Sequence, residues 1–442
     1  MMRKNNLIID SSISISDQEK DKATDSGDIF GSDSDIIQWH QIKSKSGDGV
    51  KKDEVKAFEQ FKKSDEQEHN DAQNRPDIEK VSEEAIYRFQ NAAKNGNKFA
   101  QYNLGLCYQH GDGVEKNEFK AFEWFKKSAE QEHSGAQCKL GFFYKNGIGI
   151  EKNLRKSFYW YRTAAENGNK FAQYDLGICY QDGDGVEKNE SKAFVWFKKS
   201  AEQELSDAQN QLGLCYESGV GMEKNLRKAF YWYWKAAENG NKEAQYNLGI
   251  CYQDGYGVKK DNVEAFKWYK KSAEQEHSDA HCKLGFFYKN GIGIEKNLRK
   301  AFYWYRKAAE NGNRLAQYNL GICYQDGDGV KKDKVEAFKW YEKSAEQEND
   351  DAQCKLGFFY EKGVGTAKDL NKAFNWYQKA AENGNKVAQY KLGIYYQYGN
   401  NHVKKDEVKA FEWCKKSAEQ NDDDAQNQLG LFHENGIGIE KD

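Results

Sequence analysis

One period governs this chain. The same pattern begins at Ala100, Ala136, Ala172, Ala208, Ala244, Ala280, Ala316, Ala352 and Ala388, each step 36 residues, with a last step of 37 to Ala425. A fixed period of about 20–50 residues marks a solenoid, in which no unit can bury its apolar face alone. Counting that alanine as position 1, apolar or small residues fall at positions 1, 5, 8, 9 and 12, in the first copy Ala100, Leu104, Cys107, Tyr108 and Gly111. This one-sided spacing predicts an α-helix, helix A. A Gly-x-Gly such as Gly111 and Gly113 ends it, because glycine reaches the left-handed conformation without a Cβ penalty. Position 18 is Asn or Asp in every full copy (Asn117, Asn153, Asn189, Asn225, Asp261, Asn297, Asp333, Asp369, Asp406). Such side chains accept from the free N–H groups of a helix start, which predicts a second helix, helix B. Its stripe lies at 22, 25, 26, 29 and 30, for example Ala193, Trp196, Phe197, Ser200 and Ala201. The predicted fold is all-α: a right-handed α-solenoid, or superhelix, of two-helix repeats.

Nine tryptophans occupy one repeat position: Trp124, Trp160, Trp196, Trp232, Trp268, Trp304, Trp340, Trp376 and Trp413. A side chain so large, in phase and flanked by small residues, reads as the knob between neighbouring helices. Glycine at position 6 (Gly105, Gly141, Gly177 and onward) lowers helix stability by about 1 kcal/mol relative to Ala, which a close crossing of helices A and B would explain.

These residues resemble the Sel-one-like repeat (SLR) family, relatives of the tetratricopeptide repeats. Ala280, Leu284, Gly285, Tyr288, Gly291, Gly293, Lys300, Ala301, Trp304, Lys307, Ala308, Ala309 and Gly312 match its pattern; Ile294 stands where the family favours Val, and Asn297 where it favours Asp. The resemblance spans about residues 47–442. It implies an interaction scaffold rather than an enzyme. Family members also regulate enzymes in trans, as with chitin synthase or in quality control of the endoplasmic reticulum, and some cysteine-rich bacterial relatives bind penicillin-like compounds. The resemblance therefore leaves an enzyme regulator and a hydrolase as the alternatives to a scaffold. The kinase signatures to which fungal proteins of this type are sometimes joined are absent.

Charge excludes some partners. With 67 basic and 70 acidic residues interspersed, net charge −3, no basic stripe invites nucleic acid or an anionic membrane. No apolar run approaches the roughly 20 residues of a membrane span, and Leu7–Ile9 is too brief for a signal-peptide core. The chain reads as cytoplasmic. Each full repeat holds one cysteine: Cys107, Cys179, Cys215, Cys251 and Cys323 at position 8, Cys138, Cys282 and Cys354 at position 3, and Cys414 in helix B. A disulfide between the two helices of one repeat, which some bacterial relatives use, therefore cannot form, and buried free thiols in a reducing compartment are expected.

Taken in order, residues 1–46 are Ser- and Asp-rich without period, and are expected to be disordered. A short cap could form at Ile36–Ile42. Residues 47–99 hold degenerate, truncated repeats: Gln60 and Arg88 stand at the tryptophan position, and a distortion is expected near 72–84, around the sole proline, Pro76. Residues 100–424 are expected to form nine full repeats with a second period of 72, and 425–442 a half repeat that either closes the solenoid with helix A alone or marks the chain as a fragment of a longer one. The repeat from Ala388 carries one extra residue and lacks the second glycine, which predicts a different A–B loop.

No phosphate loop, dinucleotide fingerprint, nucleophile elbow or HExxH motif is present. The GDGV loops, as at Asp182, Asp184 and Gly185, place Val186 and Lys188 where calcium ligands would be needed, so they read as helix ends. His277 and His281 straddle the B-to-A junction without a third ligand at metal spacing, and read as solvated surface histidines, as does His133. No cofactor, metal or small-molecule substrate is expected. Oligomeric state is left open.

In related solenoids helix A lines the concave face, and positions 3, 7 and 10 lie opposite the 1, 5, 8, 12 stripe. Position 7 reads as packing on the next helix A. Position 3 carries Tyr102, Tyr174, Tyr246, Tyr318 and Tyr390 every 72 residues, and position 10 carries Gln181, Gln253 and Gln325. These are the predicted contacts to a protein or peptide, tyrosine offering large area with few rotors and a hydrogen-bonding tip. Packing between repeats is the alternative role for the tyrosines.

Overall fold

The computed structural model describes residues 83–399 and 403–438. The expectations for residues 1–46, for the cap at Ile36–Ile42, for the half unit from Gly47 to Asp71 and for nearly all of 72–84 lie outside the described residues. Among those described there are twenty α-helices and no strand. They are α1 (Glu83–Lys94), α2 (Lys98–His110), α3 (Glu118–Ala129), α4 (Ser134–Asn146), α5 (Leu154–Glu166), α6 (Lys170–Asp182), α7 (Glu190–Glu202), α8 (Ser206–Ser218), α9 (Leu226–Glu238) and α10 (Lys242–Asp254). They continue as α11 (Asn262–Glu274), α12 (Ser278–Asn290), α13 (Leu298–Glu310), α14 (Arg314–Asp326), α15 (Lys334–Glu346), α16 (Asp350–Lys362), α17 (Leu370–Glu382), α18 (Lys386–Tyr398), α19 (Glu407–Glu419) and α20 (Asp423–Asn435). Even-numbered helices are helix A and odd-numbered ones helix B.

Two bodies are distinguished, one reaching Ala136 together with Glu166–Asn169, the other formed by Gln137–Ala165 and everything from Lys170. In the first, α2 packs between α1 and α3, over a core of Ala93, Ala100 and Leu104 flanked by Tyr108 and Trp124. In the second, helices pack on their neighbours in sequence, which is the solenoid arrangement.

The close crossing expected at position 6 is present, and its partner is not the tryptophan. A Cβ built on Gly177 would lie 2.5 Å from the ring of Phe197, and one on Gly249 2.6 Å from Tyr269. The same pairing joins Gly105 to Phe125, Gly141 to Tyr161, Gly213 to Tyr233, Gly285 to Tyr305, Gly321 to Tyr341 and Gly357 to Tyr377, with Cys414 taking the aromatic's place over Gly393. Among the described residues, those position-26 rings and the position-8 phenylalanines Phe143, Phe287, Phe359 and Phe432 are the largest fully buried side chains. Burying one contributes about 1.5–3 kcal/mol, against the roughly 1 kcal/mol that glycine takes from the helix. The tryptophan one residue earlier is half-buried, Trp268 alone being buried. It packs at the junction with the preceding repeat, with the lysine three residues on over its ring, as in Lys271 on Trp268 at 3.9 Å and Lys199 on Trp196 at 4.2 Å. The knob thus sits at position 26. Adjacent residues on a helix point about 100° apart, so the position-26 ring enters the glycine hollow while the indole wedges between repeats, as predicted. Trp268 packs on Ala236 and Ala237 of the preceding helix B and on Ala244 and Leu248 of its own helix A, and Trp196, Trp340 and Trp413 do the same.

Successive repeats of the second body are joined by two further contacts. The position-23 phenylalanine of one repeat meets the position-9 ring of the next edge-on, from Phe158–Tyr180 at 5.5 Å to Phe338–Tyr360 at 5.3 Å. His433, at position 9 of the last repeat, takes the same place against Phe411 at 5.3 Å. The second glycine of the A–B loop lies against the start of the preceding helix B, Gly185 on the Leu154 carbonyl and Gly257 on that of Leu226, leaving no room for a Cβ.

The caps follow the sequence. Asn117, Asn189, Asn225, Asp261, Asn297, Asp333, Asp369 and Asp406 each accept from a backbone N–H of the first turn of helix B, and Asn153 does so at 2.9 Å. Glycines such as Gly255 end helix A in the left-handed conformation, whereas Gly399 has φ 66 and ψ 174. The Ala388 repeat therefore leaves helix A differently, although its residues 400–402 lie outside the described residues. At the B-to-A turn, Glu132, Glu204, Glu276 and Glu348 hold φ between 60 and 62, where the alternate repeats place Gly168, Gly240, Gly312 and Gly384.

Two stability experiments follow. Gly213→Ala is expected to lower the unfolding free energy by about 2 kcal/mol, because its Cβ would enter the Tyr233 ring. Gly430→Ala, at the same repeat position in α20 but with nothing within 4 Å, should raise it by up to about 1 kcal/mol. Urea melts of the two variants check this; equal signs would refute the assignment of the knob. Glu204→Gly, freed from left-handed strain, should gain about 1 kcal/mol in the same melts.

Candidate partner-binding face

The helix A surface of the second body is built from positions 3, 7 and 10. The predicted tyrosines reach it only in part. Tyr174, Tyr246 and Tyr318 are half-buried, with their rings 5.7, 5.6 and 5.7 Å from the buried Phe197, Tyr269 and Tyr341 of their own repeats. Tyr390 packs beside Cys414 and Phe432. In the first body Tyr102 is buried, 5.7 Å from Phe125 and 4.7 Å from His133. Burial, with nearby carboxylates, pushes the hydroxyls of Tyr246 and Tyr318 up to about 12. They remain neutral donors with one edge in solvent.

The glutamines are engaged within the chain. Gln181 accepts from Gln211 at 2.9 Å. Gln253 accepts from the Tyr269 hydroxyl at 2.8 Å and from Lys283 at 3.4 Å, and Gln325 accepts from the Tyr341 hydroxyl at 3.0 Å. Gln253 and Gln325 thereby satisfy the phenol of the knob; Gln181, whose repeat has Phe197 as its knob, bonds the next helix A instead. Lys145 and Lys289, at the same repeat position, instead pair with Asp184 and Asp328 of the following loops at 3.1 and 3.2 Å. Those loop carboxylates are thereby occupied by lysine. Among the described residues, no three His, Cys, Asp or Glu side chains gather as metal ligands.

Position 7 differs from the expectation. Phe142, Leu214, Phe286, Phe358 and Leu431 are exposed, at 39, 36, 44, 41 and 42%. Ile178, Ile250, Ile322 and Ile394 between them are half-buried. Residues read as packing on the next helix A thus form an apolar row open to solvent on alternate helices A. The rhythm was visible in the sequence. Where position 3 is Tyr174, Tyr246, Tyr318 or Tyr390, position 7 is Ile (Leu106 follows Tyr102 in the first repeat); where position 3 is Cys138, Asn210, Cys282 or Cys354, position 7 is Phe or Leu. The bulk moves from one position to the other.

The histidines correct a second expectation. His277 is 8% exposed and His281 fully buried. His277 is the N-cap of α12, its Nδ1 accepting from the Ala280 N–H at 3.2 Å while Nε2 meets Glu243 at 2.7 Å. His133 caps α4 likewise, at 3.1 Å. Position 34 is a helix start, and a ring nitrogen there replaces the Asn oxygen of Asn241 or Asn313.

All nine cysteines are free, seven of them buried and Cys282 and Cys354 half-buried. Burial pushes the thiols of Cys107, Cys179, Cys251, Cys282, Cys323, Cys354 and Cys414 up to about 12. They are packing residues and poor nucleophiles.

Helix pairs stacked in register, with a polar spine inside and a repeated row of side chains outside, define an α-solenoid of the kind that commonly serves as a protein-interaction scaffold. The chain belongs to the Sel1 repeat family, whose profile matches residues 45–64, 98–133, 134–169, 170–205, 206–241, 242–277, 278–313, 314–349, 350–385, 386–422 and 423–442. It is similar in structure to c5321, a protective antigen of uropathogenic Escherichia coli displaying an SLR fold, with 36% identity and a TM-score of 0.72 over 92% of this chain and 84% of that one. A Sel1 repeat protein from Oxalobacter formigenes is 38% identical, with a TM-score of 0.51 over 55% of this chain and 96% of that one. No curated protein matches the chain.

Thiol titration tests the cysteine assignment. Unfolded without reductant, the protein should release nine thiols to an aromatic disulfide reagent. Native protein at pH 7.5 should react about a hundredfold more slowly or worse, since a thiol held near 12 is almost wholly protonated.

Proposed function

We propose that this protein is a non-enzymatic scaffold that docks a protein or peptide on the helix A face of its second body. The observation that carries the reading is the exposed apolar row of Phe142, Leu214, Phe286, Phe358 and Leu431, in phase along one face of a chain whose mean hydropathy is −1.01. Single exposed apolar residues are ordinary on protein surfaces, but a set repeated in phase on every second helix A is the pattern of an interaction surface. The half-exposed edges of Tyr174, Tyr246, Tyr318 and Tyr390 add polar tips, and Gln181, Gln253 and Gln325 lie along the same face. Among the described residues no helix is long and apolar enough to cross a membrane. Buried, protonated thiols favour a scaffold over a thiol-dependent hydrolase.

Binding is tested at the row rather than at the tyrosines, which also hold the knob. Replacing Leu214, Phe286 and Phe358 with Gln should abolish partner recovery in affinity capture. The melting profile should change little, since surface substitutions usually stay within about 0.5 kcal/mol each. Undiminished recovery by a folded triple variant would place the docking surface elsewhere.

A further inference from the structure

A ladder of buried glutamines runs through the repeats, and it is interrupted once. Position 2 is Gln in the neighbouring repeats, where its amide donates back to the last turn of the preceding helix B. Gln245 donates to Ala237 O at 3.2 Å and Gln317 to Ala309 O at 3.2 Å. Its carbonyl oxygen accepts from position 32 of its own repeat, as from Gln275 at 2.8 Å, Gln347 at 2.8 Å and Asn383 at 3.1 Å. In the repeat spanning 278–313 that residue is His281. Its Nε2 takes the amide's place, 2.9 Å from Ala273 O. An imidazole that donates from Nε2 leaves Nδ1 as a lone-pair acceptor, and here Nδ1 is buried without a partner. The same repeat carries a second such atom. The hydroxyls of Tyr269, Tyr341 and Tyr377 bond to Gln253, Gln325 and Glu361, but the counterpart of those acceptors is Lys289, paired with Asp328, and the Tyr305 hydroxyl has no partner.

We propose that the repeat spanning 278–313 is an acid-labile joint, in which protonation of His281 lets α12 and α13 open locally while the helices on either side stay folded. In a solenoid each repeat leans only on its neighbours, so a local defect produces local opening. Protonation puts a charge and a new N–H on a ring with no exposure to water. The groups around it are the Ala273 carbonyl at the end of α11, Glu276 and His277 in the turn before α12, and Lys307 on α13. The Glu276 carboxylate is 3.9 Å from Nε2 but is also held by Lys307 at 2.8 Å. The Trp304 ring, stacked at 5.3 Å, favours a cation, yet desolvation is the largest influence and Lys307 acts with it, so the histidine is held below its ordinary value. A base whose folded value is depressed keeps its stabilising neutral form above the unfolded value of about 6.5 and loses stability as pH falls below it, until the folded value is reached.

Hydrogen exchange of the full chain, corrected for intrinsic rates, tests this at pH 7.5 and pH 5. Protection in α12 and α13 should fall relative to the repeat spanning 350–385, by up to about tenfold for each pH unit below about 6.5. His281→Gln, which restores the residue of the neighbouring repeats, should remove that acid increment. The proposal is overturned if the two repeats lose protection in parallel, if His281→Gln leaves the increment in place, or if His277→Asn removes it instead. An imidazole NMR titration placing His281 at or above 6.5 would overturn it independently.

Discussion

The fold depends on a contact between an absent side chain and a large one. Glycine at position 6 of helix A opens a hollow, and the aromatic at position 26 of helix B fills it, from Gly105 and Phe125 to Gly357 and Tyr377. Neither residue is stable in its helix by intrinsic preference. Both become favourable only when the two helices cross closely, so the helix pair is the smallest unit that can hold together. Where the aromatic is tyrosine, its hydroxyl needs an acceptor at the mouth of the hollow. Over Tyr233, Tyr269, Tyr341 and Tyr377 position 10 supplies Gln or Glu, so there a surface residue of helix A is set by the needs of the core; over Tyr161 and Tyr305 it is Lys145 and Lys289, which pair with loop carboxylates instead.

Pairs become an array through contacts that carry the same arithmetic forward. The edge-on Phe–Tyr pairs, the loop glycines seated on the preceding helix B and the glutamine ladder each reach one repeat and no further. The alternation of two repeat types follows from the same joints. One type closes its helix pair with a serine hydroxyl, as Ser272 bonds the Lys242 carbonyl at 2.8 Å; the other has Ala308 or Ala380 at that position and turns into the next helix A through glycine. Bulk on the helix A surface alternates with it, tyrosine at position 3 in one type and phenylalanine or leucine at position 7 in the other. A surface with this 72-residue rhythm carries apolar protrusions on every second helix A.

The neighbouring exposed set on helix B has a different character. Tyr159, Tyr231 and Tyr303 stand in solvent, edge-on to Trp160, Trp232 and Trp304 at 5.2, 5.3 and 5.1 Å. The tryptophans here are cover for the repeat junction, topped by lysine stems, so these aromatics shield a seam. Among the described residues, the row on helix A carries no such lysine cover and lies more than a third open to solvent, which is the ground for proposing it as the docking face.

The sequence alone determined the helix pairs, their caps, the free thiols and the close approach at position 6, because each depends on local spacing or on one residue's backbone freedom. Asn117 or Asp261 caps a helix wherever its neighbours fold. What it could not decide was which of two adjacent aromatics faces inward, whether Phe142 and Phe286 meet another helix or water, and that His281 stands in a buried ladder. Those answers turn on the rotation and separation of helices many residues apart, which a 36-residue period repeats faithfully without specifying. Tertiary packing put the phenol into the glycine hollow, set the indole into the junction between repeats, and turned position 7 outward on every second helix A.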